Sequence, residues 1–343
     1  MKRLLAIIGC AILQALVCIQ LYSRFVDPDM KFFQRTAEAS DAWAEQIHAA
    51  ERPIFVLAGG SEARSGVDPQ IMLDEFGIPL VNAAGAAGHG LRGNAAAAFK
   101  YLKSGDTLVL SILSTTDVNI PPSANGVKIN VYRQGLSAFA SGMIEPSLDN
   151  VGKLMSSDVR SMFVMLTRYF SRSGRLYKYN EQTVIHPSGW MEIQYREMDK
   201  YKPDVPRASE CPTPLANDSA FMQTLQRLRD HCQSRDIRFM VTIPVGCNHE
   251  SLRPQYAMKA LCITRLGIPV LKDERLGCLP VPTEYADMTV HLNPEGAKEN
   301  TRMLGDQLQN NTTWTEKELA DILSSTGCQD EGSPITKQSP SSK

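Results

Sequence analysis

Two short stretches of this sequence carry residue types that could perform covalent chemistry. The first is Leu57-Ala58-Gly59-Gly60-Ser61-Glu62-Ala63-Arg64, an apolar run that ends in two glycines and a serine. Glycines let the chain turn sharply at the carboxyl end of a strand. A serine just past the turn projects from a helix start whose free N–H groups can stabilise an oxyanion. A hydroxyl is a weak nucleophile at neutral pH, so such a serine needs a base; without one, Ser61 is an ordinary helix N-cap. The second stretch is Asp287-Met288-Thr289-Val290-His291-Leu292-Asn293-Pro294-Glu295-Gly296. Asp287 stands four residues before His291, close enough to reach the imidazole and hold the tautomer whose other nitrogen accepts a proton. Asn293 then caps a last helix, with Pro294 in its first turn. Of the six histidines, His291 alone combines a nearby carboxylate with a loop-to-helix setting.

Positions 61 and 291 can meet only if the chain between them builds a scaffold, and its pattern predicts one. Ile54-Phe55-Val56-Leu57, Pro79-Leu80-Val81-Asn82, the run from Thr107 to Leu113 and the run from Arg238 to Val245 read as buried strands. Between and after them, 94–102, 218–235 and 251–266 read as helices, Ile268 to Leu271 as a short strand, and the residues after Asn293 as a final helix. This alternation predicts an α/β fold with βαβ units and a mostly parallel sheet. The rhythm breaks over about 120–217, which opens with Pro121 and Pro122 and closes with Pro203, Pro206, Pro212 and Pro214. That stretch reads as an insertion with one or two helices. Its Arg/Tyr cluster at 168–179 is the solvated face of a helix before it is a sugar-binding surface.

Composition narrows the classes. In 343 residues, 36 Lys+Arg balance 37 Asp+Glu for a net charge of -1, which argues against an electrostatically driven nucleic-acid binder. Lys2 and Arg3 precede an uncharged run from Leu4 to Ser23, long enough for a transmembrane helix. The positive-inside bias then predicts a single-pass protein with Lys2 and Arg3 in the cytoplasm and its main domain on the other side of the membrane. An uncleaved anchor is the first choice and a cleaved signal the second. The resulting plan is an anchor at 1–26, a stalk or first helix at 27–52, one domain at 53–326 carrying the insertion, and a disordered tail at 327–343. Cys211, Cys232, Cys247, Cys262, Cys278 and Cys328 follow the anchor, and nothing in their spacing fixes a disulfide pairing or a zinc site. The glycine-rich Gly85-Ala86-Ala87-Gly88-His89-Gly90 fits neither a dinucleotide fingerprint nor a P-loop. No cofactor and no metal are expected.

Gly59-Gly60-Ser61 after the first strand, Asn82 through Gly88 after the second, and Asp287 with His291 before the last helix together resemble the SGNH/GDSL hydrolase superfamily. The likeness is closer to its membrane-anchored branch, associated with bacterial exopolysaccharide and O-acetyl transfer. That branch reads Gly-Gly-Ser-x-x-Arg then Asp-Pro near the serine, matched by Gly59, Gly60, Ser61, Arg64, Asp68 and Pro69. Near the histidine it reads Tyr-His-Leu-Asn-x-x-Gly, matched by His291, Leu292, Asn293 and Gly296, with Val290 in the tyrosine's place. The resemblance implies a three-layer α/β/α sandwich, flavodoxin-like and SGNH hydrolase-like. It implies Ser61 as nucleophile, His291 as base and Asp287 as its orienting partner. The Ser61 N–H, Gly88 and Asn119 would form the oxyanion hole. Asn119 falls late in its loop, where Thr115 or Thr116 can substitute; Arg64, His89 and Thr115 would contact substrate. The implied function is an extracytoplasmic esterase or O-acyltransferase acting on acyl, above all acetyl, esters of a surface polysaccharide or other acylated carbohydrate. The alternative is a catalytically silent polysaccharide-binding or envelope scaffold protein on the same fold.

Overall fold

A computed structural model describes residues 28–85, 89–112, 183–193, 219–244, 252–277 and 291–326, with isolated positions between 9 and 21 and between 152 and 160. In chain order these residues form α1 (Pro28–His48), β1 (Phe55–Ala58), α2 (Ser61–Gly66), α3 (Pro69–Phe76), β2 (Leu80–Asn82), α4 (Gly90–Phe99) and β3 (Thr107–Ser111). There follow β4 (Thr183–Ile185), β5 (Met191–Ile193), α5 (Ala220–Ser234), β6 (Arg238–Thr242), α6 (Arg253–Arg265), α7 (Pro294–Asn310) and α8 (Glu316–Ser325). Among the described residues no helix is long and apolar enough to cross a membrane; most of the expected anchor, like the 327–343 tail, lies outside them.

The main sheet is parallel throughout, in the order β2-β1-β3-β6. Its strands are continuous apolar runs because both faces are covered. Val56 and Ala58 of β1, Leu108 and Leu110 of β3, and Phe239 and Val241 of β6 join one core with α1, α4, α5, α6 and α8. The alternate residues Leu57, Val109 and Met240 face the other way, into a core with Ala63, Met72, Leu304 and Leu308 of α2, α3 and α7. Helix α1 does more than lead into the domain. Trp43, Ala44 and Ile47 are buried in the first core, and the Trp43 indole N–H donates to the Leu80 carbonyl at 2.8 Å on β2. The start of β1 is fixed by the buried Asp106, whose carboxylate accepts the Ile54 N–H at 2.8 Å and the Lys103 N–H at 2.7 Å.

The expected strand at 268–271 contributes only two isolated bridges, Val270 to Val241 and Leu271 to Thr313. The expected final helix is two helices, because Asn311 takes a left-handed conformation (φ 51°) that ends α7. Within the 120–217 stretch the described strands form an antiparallel hairpin, β4 with β5, closed by a turn at Gly189.

Helix α8 opens in a reciprocal cap: Thr315 Oγ1 accepts the Glu318 N–H at 3.3 Å, and the Glu318 carboxylate accepts the Thr315 N–H at 2.9 Å. Lys272 donates to the same carboxylate at 2.7 Å. Lys272 first, then the Thr315 N–H, hold the Glu318 carboxyl down at about 2 from an ordinary 4.5. The stability this supplies is present above the ordinary value and disappears as pH falls toward the folded one. Melting temperatures taken between about pH 5 and pH 2 should therefore drop more steeply in wild type than in Glu318→Gln, the two curves converging at the acid end. Parallel curves would mean that the cluster adds nothing to the fold.

Candidate active site

The strand order reverses direction at β1. The chain leaves β1 for β2 on one side and later returns to β3 on the other, which makes the carboxyl end of β1 the switch point where open parallel sheets bind ligands. Ser61 is the first residue of the helix that follows this strand. The turn between them is possible because residue 59 has no side chain: a Cβ there would lie 2.7 Å from Ser111 Cβ and 2.9 Å from Ala63 Cβ. The short α2 is held from several directions. Asn82, at the end of β2, donates its amide to the carbonyls of Ala63 at 3.0 Å and Val67 at 2.9 Å. Asn300 on α7 donates to the Gly66 carbonyl at 2.8 Å, and Thr301 accepts the Asp68 N–H at 2.9 Å. Within α2, the Ser65 hydroxyl donates to the carbonyl of Ser61 itself at 2.9 Å.

The same α7 delivers His291, three residues ahead of its first turn. Asn293 caps the helix by accepting the Gly296 N–H at 3.0 Å, and Pro294 follows it, so the chain enters at a fixed angle. His291 is buried to 5% exposure, and its Nε2 lies 2.8 Å from Ser61 Oγ. Two groups 230 residues apart in sequence thus share one hydrogen bond. With the ring proton on Nδ1, Nε2 accepts from the hydroxyl, the arrangement a base needs to take that proton.

Asp287, Gly88, Thr115 and Asn119 lie outside the described residues. Gly85, the other glycine of the second block, donates its N–H to the Gly59 carbonyl at 2.9 Å, so that donor is committed to the backbone. Arg64 is 6% exposed, its guanidinium 5.0 Å above the Phe33 ring of α1, and His89 is 2% exposed with its ring 6.2 Å from the same phenylalanine. Burial this deep leaves either side chain little surface for a ligand. Their shared aromatic neighbour makes them a packed layer between α1, α2 and α4.

Two features had no counterpart in the sequence reading. Glu62, next to the serine, is buried and turns its carboxylate back to accept the Gly60 N–H at 3.0 Å and the Ser111 hydroxyl at 3.5 Å. Burial, with the Glu62 charge adding to it, pushes the Tyr256 phenol of α6 up to about 12, and the Lys259 ammonium sits 4.9 Å over the Tyr256 ring. An acid directly after Gly-Gly-Ser is the only trace this leaves in sequence. The second feature is the β4–β5 hairpin, whose buried Trp190 donates its indole N–H to the Ser65 carbonyl at 2.9 Å. Its sequence trace is no more than the turn residues Pro187-Ser188-Gly189 between the short runs Thr183-Val184-Ile185 and Met191-Glu192-Ile193. Among the described residues no group of His, Cys, Asp or Glu is placed to hold a metal ion. The chain matches none of the protein-family models, curated proteins or solved structures compared with it.

Proposed function

We propose that this chain is a serine-dependent acyl-transfer enzyme, an esterase or O-acyltransferase of SGNH hydrolase type. On this reading the sheet and its two helical layers are an SGNH-like, flavodoxin-like sandwich. The observation that carries the proposal is the 2.8 Å contact between Ser61 Oγ and His291 Nε2 at the switch point of a parallel sheet. Ser61 attacks an acyl carbonyl while His291 takes the hydroxyl proton; the carbonyl oxygen gains the negative charge, and the Ser61 N–H stabilises it together with Gly88 and Asn119. Asp287 holds the imidazole in the productive tautomer. Collapse of the tetrahedral species expels the alcohol, which leaves with the proton from His291, and forms an acyl ester on Ser61. Water resolves that ester in an esterase and a sugar hydroxyl in a transferase. With 1–26 as a membrane anchor, the site faces the periplasm and acts on an acylated surface polysaccharide.

A fluorophosphonate tests the reading without knowledge of the substrate, because it reacts with serines activated by a neighbouring base. Full-length protein in detergent should take up one equivalent, located by peptide mass analysis on the segment containing Ser61. Uptake should vanish after acid denaturation. Absence of label on native protein would overturn the proposal.

A further inference from the structure

We infer that Trp190 is a positioning residue for the Ser61–His291 pair, a clamp supplied by the hairpin that interrupts the α/β alternation. The inference rests on the acyl-transfer reading above and names a part of the machinery which that reading does not contain.

The indole touches both halves of the pair's support at once. On one side its Nε1–H donates to the Ser65 carbonyl at 2.9 Å, and Ser65 in turn donates its hydroxyl to the carbonyl of Ser61 at 2.9 Å. On the other side its ring packs in one cluster with Leu292 and Ala297, the residue after His291 and a residue in the first turn of α7. A single rigid side chain therefore spans the six-residue helix carrying the hydroxyl and the helix entry carrying the imidazole. The indole is itself held. The His186 ring stacks on it with centroids 4.6 Å apart, and His186 Nε2 lies 2.6 Å from a Glu192 carboxylate oxygen. The hairpin turn is seated against the rest of the domain, Gly189 against Ser40 of α1 and the Ser188 hydroxyl 3.4 Å from Asp68, the cap of α3.

A large apolar side chain at 190 would suffice for burial alone. The directed N–H to the serine helix is what packing does not require, and it separates positioning from filling. Attack geometry is steep in distance, a displacement of about 1 Å costing as much as ~100-fold in rate. A small loosening of α2 against α7 should therefore appear in turnover before it appears in substrate affinity.

The test uses full-length wild type, Trp190→Phe and Ser61→Ala, with p-nitrophenyl acetate as the probe. Trp190→Phe keeps an aromatic six-membered ring in the cluster and removes the donor, together with the volume of the pyrrole half of the indole. The expected result is a fall in kcat of about tenfold with KM changed less than about twofold and a cooperative melt retained. Wild-type kcat in that variant would overturn the inference and leave the acyl-transfer reading intact. If wild type is no faster than Ser61→Ala, the acyl-transfer reading falls, and crystal structures of wild type and Trp190→Phe decide the clamp. A Ser61–His291 separation opened past about 3.5 Å supports it, and an unchanged one overturns it. Should Trp190→Phe fail to fold, His186→Ala removes the stacked ring from the outer side of the indole. A fall in kcat of about threefold at constant KM then supports the clamp, and an unchanged kcat overturns it.

Discussion

Exchanging Ser61 for alanine should lower p-nitrophenyl acetate turnover by at least ~1000-fold, to the residual rate left when a covalent nucleophile is removed from an otherwise intact site. The fold should survive. The substitution removes one hydrogen bond, worth about 1 kcal/mol, from a helix that keeps its ties through Asn82, Asn300 and Trp190. The melting temperature should therefore move by no more than a few degrees. A variant that melts like wild type and hydrolyses like wild type would show that ester cleavage in this protein, if present, proceeds without Ser61.

His291→Gln comes second in expected size and is the sharper test of the pair. Glutamine can still meet the Ser61 hydroxyl but cannot take up its proton, so the loss in kcat should match that of Ser61→Ala to within about tenfold. The informative number is the double variant. Residues that act as one unit give non-additive losses, so Ser61→Ala/His291→Gln should be no slower than the worse single variant. Multiplied losses would mean that the two side chains act independently, and the 2.8 Å contact would then have no chemical meaning.

Much of this scaffold is legible in the chain because parallel strands covered on both faces announce themselves as unbroken apolar runs. β2, β3 and β6 fall within the runs starting at Pro79, Thr107 and Arg238 and are shorter than them, whereas β1, Phe55–Ala58, has the length of the run Ile54–Leu57 and sits one residue later. The runs overshoot because apolar residues such as Ile112 and Ile243 are buried beyond the last ladder pair. Ser61 and His291 were legible as a pair because each stands beside a strong local signal, a double glycine for one and Asn-Pro for the other. The hairpin was not. Its strands have three residues each, and β4 presents the exposed Val184 in its middle, so no window long enough to show a period exists. The burial of Arg64 and His89 was equally hidden. It depends on Phe33 of α1, a helix whose polar composition reads as a stalk and whose buried stripe of Trp43, Ala44 and Ile47 is narrow.

The distance along the chain between the Ser61 hydroxyl and the His291 imidazole also sets a schedule. Ribosomes add about 5–20 residues per second, so the 230 residues separating the hydroxyl from the imidazole take roughly ten seconds to a minute to appear. Throughout that interval the nascent polypeptide holds the first half of its centre without the second. On the acyl-transfer reading, the hydroxyl therefore meets its base only in the compartment that receives the carboxyl-terminal helices.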